Sequence, residues 1–516
     1  MASWTSLPTE IKWMIFELLV VSKDRQYEPA KQRSRRREMT IGNSQGAYAS
    51  VSNEWRLFFE RSNFGKLILH QDDVETFGRL VQNTQRPLFV KWVWLRVELP
   101  LYNCAKCHLP ESVEEDKNIE FTFTNATWRL LEILSEFDAT HSGITLELSA
   151  DSPSLTDHYA QEYGSIMNDT SWHSLGAVHT HQPITDSIHG WEKGRRGPLM
   201  RDPRMRIFGH PRGLQFDKRS PVARRMRKLP KVPAVKALVV RLQCYRRFSV
   251  PKTLHPMLVS FTSLRDLTYE SWKEGACQID SSERDLRDIE LEELFLSSLS
   301  SKYHKSLGRV SVYERSIRCP CIPACSWWIG SRESKAVAAA LAIASNNMEE
   351  LYINDSVDAC HFFEAVKAQP KPRVVSDLKK LSLFAPRLWP EGFERQLKQA
   401  ATVAYHMPHL REMELWNYDE ERWRSIFRYR RSQDTHSIEF QNSWGGFLSP
   451  KLIEAWEVVA RHHGSMRDIQ VVQDNKFQFH GKIDAMAALK LAEGSLTDTS
   501  RRQILGQSGY ISLQGA

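Results

Sequence analysis

The sequence predicts an α/β protein. A small helical module stands at the N-terminus, followed by an irregular solenoid of strand–helix units whose strands form one parallel sheet. Three observations carry this expectation. The first 65 residues hold two short segments with helix-spaced apolar residues. From Val235 onward a short apolar pattern recurs seven times. Helix-periodic stretches separate its copies, so apolar spacing switches repeatedly between the two regular structures.

The opening reads Leu7-Pro8-Thr9-Glu10-Ile11 and continues as an apolar helix to Val21. Pro8 suits a helix start, where its missing N–H has no partner to lose. Glu10 lies in the first turn, where a carboxylate favours the helix dipole. Ile11, Met14, Ile15, Leu18 and Leu19 form one stripe, and Val51, Trp55, Phe58 and Phe59 form another. Helices this short cannot bury all of that surface among themselves, so part of it is left for a partner or for the rest of the chain.

Residues 1–65 resemble an F-box. The family pattern is carried by Leu7, Pro8, Glu10 and Ile11, then by Val51 and Trp55, then by Phe64 with Leu67, Ile68 and Leu69. The chain departs from the family between the helices. A stretch from Ser22 to Asn43 intervenes there, with Arg33, Arg35, Arg36 and Arg37 inside it, so the basic insertion occupies 22–43. The resemblance implies docking on a Skp-type adaptor within a cullin-based, SCF-type ubiquitin ligase. It also implies that Leu7, Pro8, Ile11, Ile15, Leu18, Val51 and Trp55 lie at or beside that interface.

The recurring pattern is apolar, two residues, apolar, one residue, apolar. Its copies are Val235–Val240, Leu264–Tyr269, Leu307–Val312, Met348–Ile353, Leu378–Leu383, Leu410–Leu415 and Met466–Val471, with starts spaced 29, 43, 41, 30, 32 and 56 residues apart. The last gap has room for a degenerate copy at Ile438-Glu439-Phe440. Each copy ends in strand-like alternation. Between copies, 335–345 is alanine-rich, and 451–463 places Leu452, Ile453, Trp456, Val459 and Ala460 on one helical face. A unit of this kind cannot close its own core, so neighbours stack, which predicts a leucine-rich-repeat-like domain over 232–475. True leucine-rich repeats carry an Asn or Cys after the strand, and only Asn354 stands near such a place.

Earlier strands at 92–97 and 144–148, with a helix at 127–137 between them, are expected to join the same sheet, so 66–150 opens the repeat domain. Residues 476–516 are expected to form a C-terminal cap or tail, with short helices at 485–493 and 495–504. Trp272, Trp327, Trp328, Trp389, Trp416 and Trp444 follow strands or sit in loops, where they could serve as binding anchors or fill gaps between repeats. The runs Leu95–Pro100, Leu146–Ala150 and Tyr269–Trp272, in this order behind the opening module, look like a large group of fungal F-box proteins. That likeness implies a ligase subunit whose repeat domain holds an unknown target protein and which does no bond chemistry itself.

Charge is concentrated. Residues 191–231 carry 14 Lys and Arg against Glu192, Asp202 and Asp217, within a chain of net charge +8. Prolines such as Pro203, Pro211, Pro221 and Pro230 and the lack of apolar periodicity predict that 151–231 is a mostly disordered basic insertion. Contact with nucleic acid through 191–231 is a rival to the ligase reading. So is a scaffold whose first helices merely cap the solenoid. A solvated linker is the preferred reading of the basic run.

Chemistry-bearing motifs are few. Cys104-Ala-Lys-Cys107-His108 matches haem-attachment spacing and one half of a zinc site, with Cys319, Cys321 and Cys325 as a distant second half. The preferred reading is a loop with free thiols, so no metal or other cofactor is expected. His158, His173, His179, His181 and His189 fit no metal template and fall in the expected disordered insertion. Gly42–Gly46 fits a nucleophile elbow on paper, but a basic run precedes it where a buried strand is required. There is no Walker loop, dinucleotide fingerprint or His-Glu-x-x-His. Eight sparse cysteines, no leader-like N-terminus and no run of about 18 apolar residues predict an intracellular protein, cytoplasmic or nuclear, outside the membrane.

Overall fold

A computed structural model describes residues 4–21, 47–138, 142–158, 186–189, 191–192, 195–196, 201–209, 212–273, 281–300, 302–316, 335–354, 356–369, 377–418, 424–432, 435–475 and 489–507. Helices Thr9–Val21 and Asn53–Gly65 come first. The strands are β1 (Lys66–Leu69), β2 (Trp92–Glu98), β3 (Ile144–Asp151), β4 (Trp191–Glu192), β5 (Arg195–Arg196), β6 (Val235–Val240), β7 (Asp266–Lys273), β8 (Arg309–Ser316), β9 (Glu350–Ile353), β10 (Lys380–Phe384), β11 (Glu412–Tyr418), β12 (Arg424–Arg431), β13 (His436–Asn442) and β14 (Gln470–Asp474). All but β4 and β5, which pair with each other, form one 12-stranded sheet in chain order. Neighbours run parallel except for β12, which is antiparallel to both β11 and β13.

Side-chain alternation explains the layering. One ladder crosses all twelve strands: Leu67, Val93, Leu146, Leu238, Leu267, Val310, Leu351, Leu381, Met413, Tyr429, Ile438 and Val471 stand side by side. Each recurring copy in the sequence contributes one rung. This apolar face carries the main core and is covered by the intervening helices. Because side chains alternate across a strand, the next residue of each strand points the other way. That second ladder runs Trp94, Glu147, Val239, Thr268, Ser311, Tyr352, Ser382, Glu414 and Arg428.

The covering helices form for local reasons. Val113–Ser135 starts at a capping box in which Ser112 and Glu115 bond each other's backbone N–H. It begins well before the expected 127, because its first turns are polar and show no apolar stripe. Lys335–Ala344 buries Val337, Ala338 and Leu341, and its small residues let it lie close to its neighbours. Pro450–His462 has proline at its first position and buries Leu452, Trp456 and Val459.

Two expectations need correction. Much of the 151–231 segment is ordered, with helices Arg201–Phe208 and Pro221–Met226. Acids on neighbouring elements neutralise its arginines: Arg206 reaches Glu115 at 3.3 Å, and Arg225 reaches Glu132 at 2.7 Å. Ile207, Phe208 and Leu214 supply the apolar burial that the sequence pattern hid. Of the 476–516 region, only 489–507 is described, and it does not sit at the end of the sheet. Residues 489–507 cross the open side of the sheet as a strap, with a 3-10 turn at Glu493–Ser495 and a helix at Asp498–Gln507. The expected helix at 485–493 falls partly outside the described residues, and 489–493 is not α-helical.

Candidate functional site

The opening module has an interior of its own. Phe16 and Phe59 are fully buried, yet neither belongs to the main core. Trp4, Tyr48, Trp55 and Phe58 pack around them at ring distances of 4.8–5.9 Å. Ser52 caps the second helix through Trp55 N–H at 3.3 Å, and Glu54 ties the two helices together through Lys12 at 3.2 Å. Of the residues predicted to dock, Pro8, Ile11, Leu18 and Val51 are exposed, while Leu7, Ile15 and Trp55 are half-buried. Trp55 spends one face of its ring on this interior. Met14, Leu18, Val51 and Leu57 are 59, 67, 60 and 57% exposed, a dense apolar surface for so small a unit. The insertion 22–43 and the paper motif at 42–46 lie outside the described residues.

The open side of the sheet is the second candidate surface, and the strap occupies its middle. Leu489, Leu491, Leu496 and Ile504 pack against Tyr245, Trp272, Phe384, Trp416 and Ile426. Trp272 and Trp416 are therefore buried beneath the chain's own C-terminal segment, which favours the filling role over the binding-anchor one for these two. Trp389 and Trp444 are half-buried, and Trp327 and Trp328 lie outside the described residues. Polar bonds fasten the strap. Thr497 N–H donates to Glu270 at 2.6 Å, Ser500 Oγ donates to the same carboxylate, and Ala492 N–H donates to Glu414 at 3.2 Å. Arg241 reaches Thr499 at 2.7 Å, and Gln243 reaches Gln503 at 2.7 Å. Burial pushes the carboxyls of Glu147, Glu270 and Glu414 above their ordinary range, opposed by Arg241 for the first, by Ser500 and Thr497 for the second and by Arg428 for the third.

A third cluster lies at the C-terminal ends of β2 and β3, where parallel sheets commonly hold their ligands. The helical turn Cys104–Cys107 follows β2, and the short helix Ser154–His158 follows β3. Ser154 accepts from Tyr102 N–H at 2.9 Å, and the Tyr102 ring stacks on His158 at 5.4 Å, which locks the two loops together. The turn Ser187–His189 then returns to the same spot. Cys104 Sγ lies 3.6 Å from His158 Nδ1 and 3.8 Å from His189 Nε2, and the two ring nitrogens are 3.0 Å apart. Cys104 is exposed, and both histidines are buried. Sequence spacing missed this grouping because its members come from three separate loops. His173, His179, His181, Cys319, Cys321 and Cys325 lie outside the described residues. None of the described cysteines forms a disulfide.

The basic segment keeps Arg212, Lys218, Arg224, Arg227 and Lys228 exposed, while others are taken up by the fold. Arg204 and Arg206 are buried, and Arg219 pairs with Asp217 at 2.6 Å. No described helix is long and apolar enough to cross a membrane. A family of unknown function, DUF6546, matches residues 301–496, a span that takes in β8 to β14 and the strap as far as Leu496. No curated protein matches the chain.

Proposed function

We propose that the chain is the target-recognition subunit of a cullin-based, SCF-type ubiquitin ligase. The opening module docks on a Skp-type adaptor as an F-box, and a leucine-rich-repeat-like solenoid holds the target protein. The chain itself breaks and makes no bonds, needs no cofactor for this task and works inside the cell, in the cytoplasm or nucleus. The observation that carries the reading is the apolar surface left outside the module's own aromatic interior: Ile11, Met14, Leu18 and Val51. Burying it against another polypeptide is worth roughly 25 cal/mol per Å2 before association costs are subtracted. Chain-order strands with one apolar rung each support the solenoid reading. So do asparagines at strand ends that bond neighbouring backbone. Asn354 Oδ1 accepts from Glu314 N–H at 2.9 Å, Asn417 donates to the Pro386 carbonyl at 3.2 Å, and Asn442 Oδ1 accepts from Gly446 N–H at 2.9 Å.

The test is co-purification with the Skp-type adaptor. Full-length protein should retain the adaptor, while a Leu7→Ala/Pro8→Ala double variant and a chain lacking 1–65 should lose it with the sheet still folded. Undiminished capture by the double variant would overturn the docking assignment. A well-behaved chain that never captures the adaptor would favour the scaffold reading.

A further inference from the structure

We propose that Cys104, His158 and His189 bind one zinc ion. Three loops, two of them anchored at the ends of adjacent strands, aim one sulfur and two ring nitrogens at a common point. A tetrahedral ion with Zn–S of about 2.3 Å and Zn–N of about 2.0–2.1 Å sets S···N edges near ~3.6 Å and N···N edges near ~3.3 Å. The three separations here are 3.6, 3.8 and 3.0 Å, so an ion fits among these donors with shifts of a few tenths of an ångström.

A second observation is independent of the first. His189 Nδ1 lies 2.6 Å from Asp186 Oδ2. An acceptor-only carboxylate at that distance holds the ring proton on Nδ1, and Nε2 is then left with its lone pair aimed at Cys104 and His158. This carboxylate–imidazole arrangement is the support that zinc-binding histidines generally have, since it fixes the tautomer and raises ligand basicity. The His108 ring adds a nearly parallel wall, 6.1 Å from His189 and tilted by 12°.

The donor set excludes the hard, oxygen-seeking metals. One thiolate and two imidazoles suit zinc, whereas magnesium and calcium take oxygen ligands. Binding requires the Cys104 thiol to lose its proton, which is released to solvent, and both imidazoles to be neutral. Cys107 lies on the same helical turn, where its thiol now donates to the Cys104 carbonyl at 3.1 Å. The ion would fasten the loops after β2 and β3 to the turn Ser187–His189. This adds to the proposed ligase role and does not depend on it.

The experiment uses the full chain produced with zinc in the medium. Metal analysis should find one zinc per chain, and the Cys104→Ser, His158→Ala and His189→Ala variants should each lose it. Cobalt added to chelator-stripped protein should give a thiolate-to-metal charge-transfer band that is absent from C104S. Asp186→Asn should keep the stoichiometry but weaken zinc by about 10–100-fold, the usual cost of losing such a carboxylate. Circular dichroism of each variant keeps unfolding separate from ligand loss. Folded wild-type protein with neither zinc nor a cobalt band would overturn the proposal, as would a cobalt band that survives in C104S.

Discussion

Gly494 gives the sharpest test of the strap. A Cβ built at this position would lie 2.7 Å from Tyr352 Cε1 and closer still to Cζ and Cε2. The ring cannot easily yield. Tyr352 is buried, its hydroxyl bonds Glu350 at 2.9 Å, and the Arg309 guanidinium sits 5.7 Å from its centre. Gly494→Ala must therefore lift the strap by more than an ångström at its midpoint. Overpacking of this kind costs about 1–3 kcal/mol. Against it stand bonds to the buried carboxylates of Glu270 and Glu414, each worth about 1.5–3 kcal/mol. Four buried aliphatic side chains add about 1.5–3 kcal/mol each. The anchors win, so the strap stays in place but opens more often. A penalty of about 1–3 kcal/mol raises the open population about 5- to 150-fold. Hydrogen exchange at the Ala492 and Thr497 amides and tryptic cleavage after Lys490 should accelerate by that factor, with exchange in β9 and β10 unchanged. Identical exchange at Ala492 and Thr497 in G494A and wild type would refute the account of how the strap is held.

Other outcomes follow from the same contacts. Phe16→Ala should cost about 3–5 kcal/mol, as for a buried aromatic, but only within the opening module, because Phe16 lies outside the main core; exchange confined to residues 4–65 would check it. Arg428→Met leaves the buried Glu414 without its 2.9 Å partner and should destabilise by about 3–5 kcal/mol in urea unfolding. Burial, with Arg431 nearby, lowers the pKa of His463 from 6.5 to about 4. The folded state thus favours neutral imidazole, and the associated stability is complete above pH 6.5 and lost as the pH falls towards about 4. The gap between wild type and His463→Gln should shrink over that range, and a gap equal at both ends would refute the assignment.

The sheet was largely legible because its physics is local. Every copy of the recurring pattern, from Val235 to Met466, runs into a strand, and the degenerate Ile438-Glu439-Phe440 lies in β13. The missed strand is β12, Arg424–Arg431. Its basic character disguises Ile426, Phe427 and Tyr429, and as an antiparallel insertion it lacks the repeat's leading residues. The strap was illegible for a different reason. Leu489, Leu491 and Leu496 lie ahead of the helix Asp498–Gln507 in irregular backbone, so they show no regular period. The histidine cluster had one visible sign, a Cys-x-x-Cys just after a predicted strand. Its partners lie in loops whose approach depends on the whole sheet. Arg206 and Arg225 read as solvated because their acids, Glu115 and Glu132, sit 91 and 93 residues earlier.

The strap also bears on how this protein is made. In a stacked array each unit touches only its neighbours, so the chain can assemble strand by strand as it leaves the ribosome. Yet Thr497, Thr499 and Gln503 bond residues 227–260 positions upstream. The strap therefore cannot cover the aromatic surface around Tyr245, Trp272 and Trp416 until residues 489–507 have been translated. A stop codon just before Leu489 would leave the twelve-stranded sheet displaying a greasy, carboxylate-dotted surface, a natural target for chaperones and for the cell's quality-control proteases.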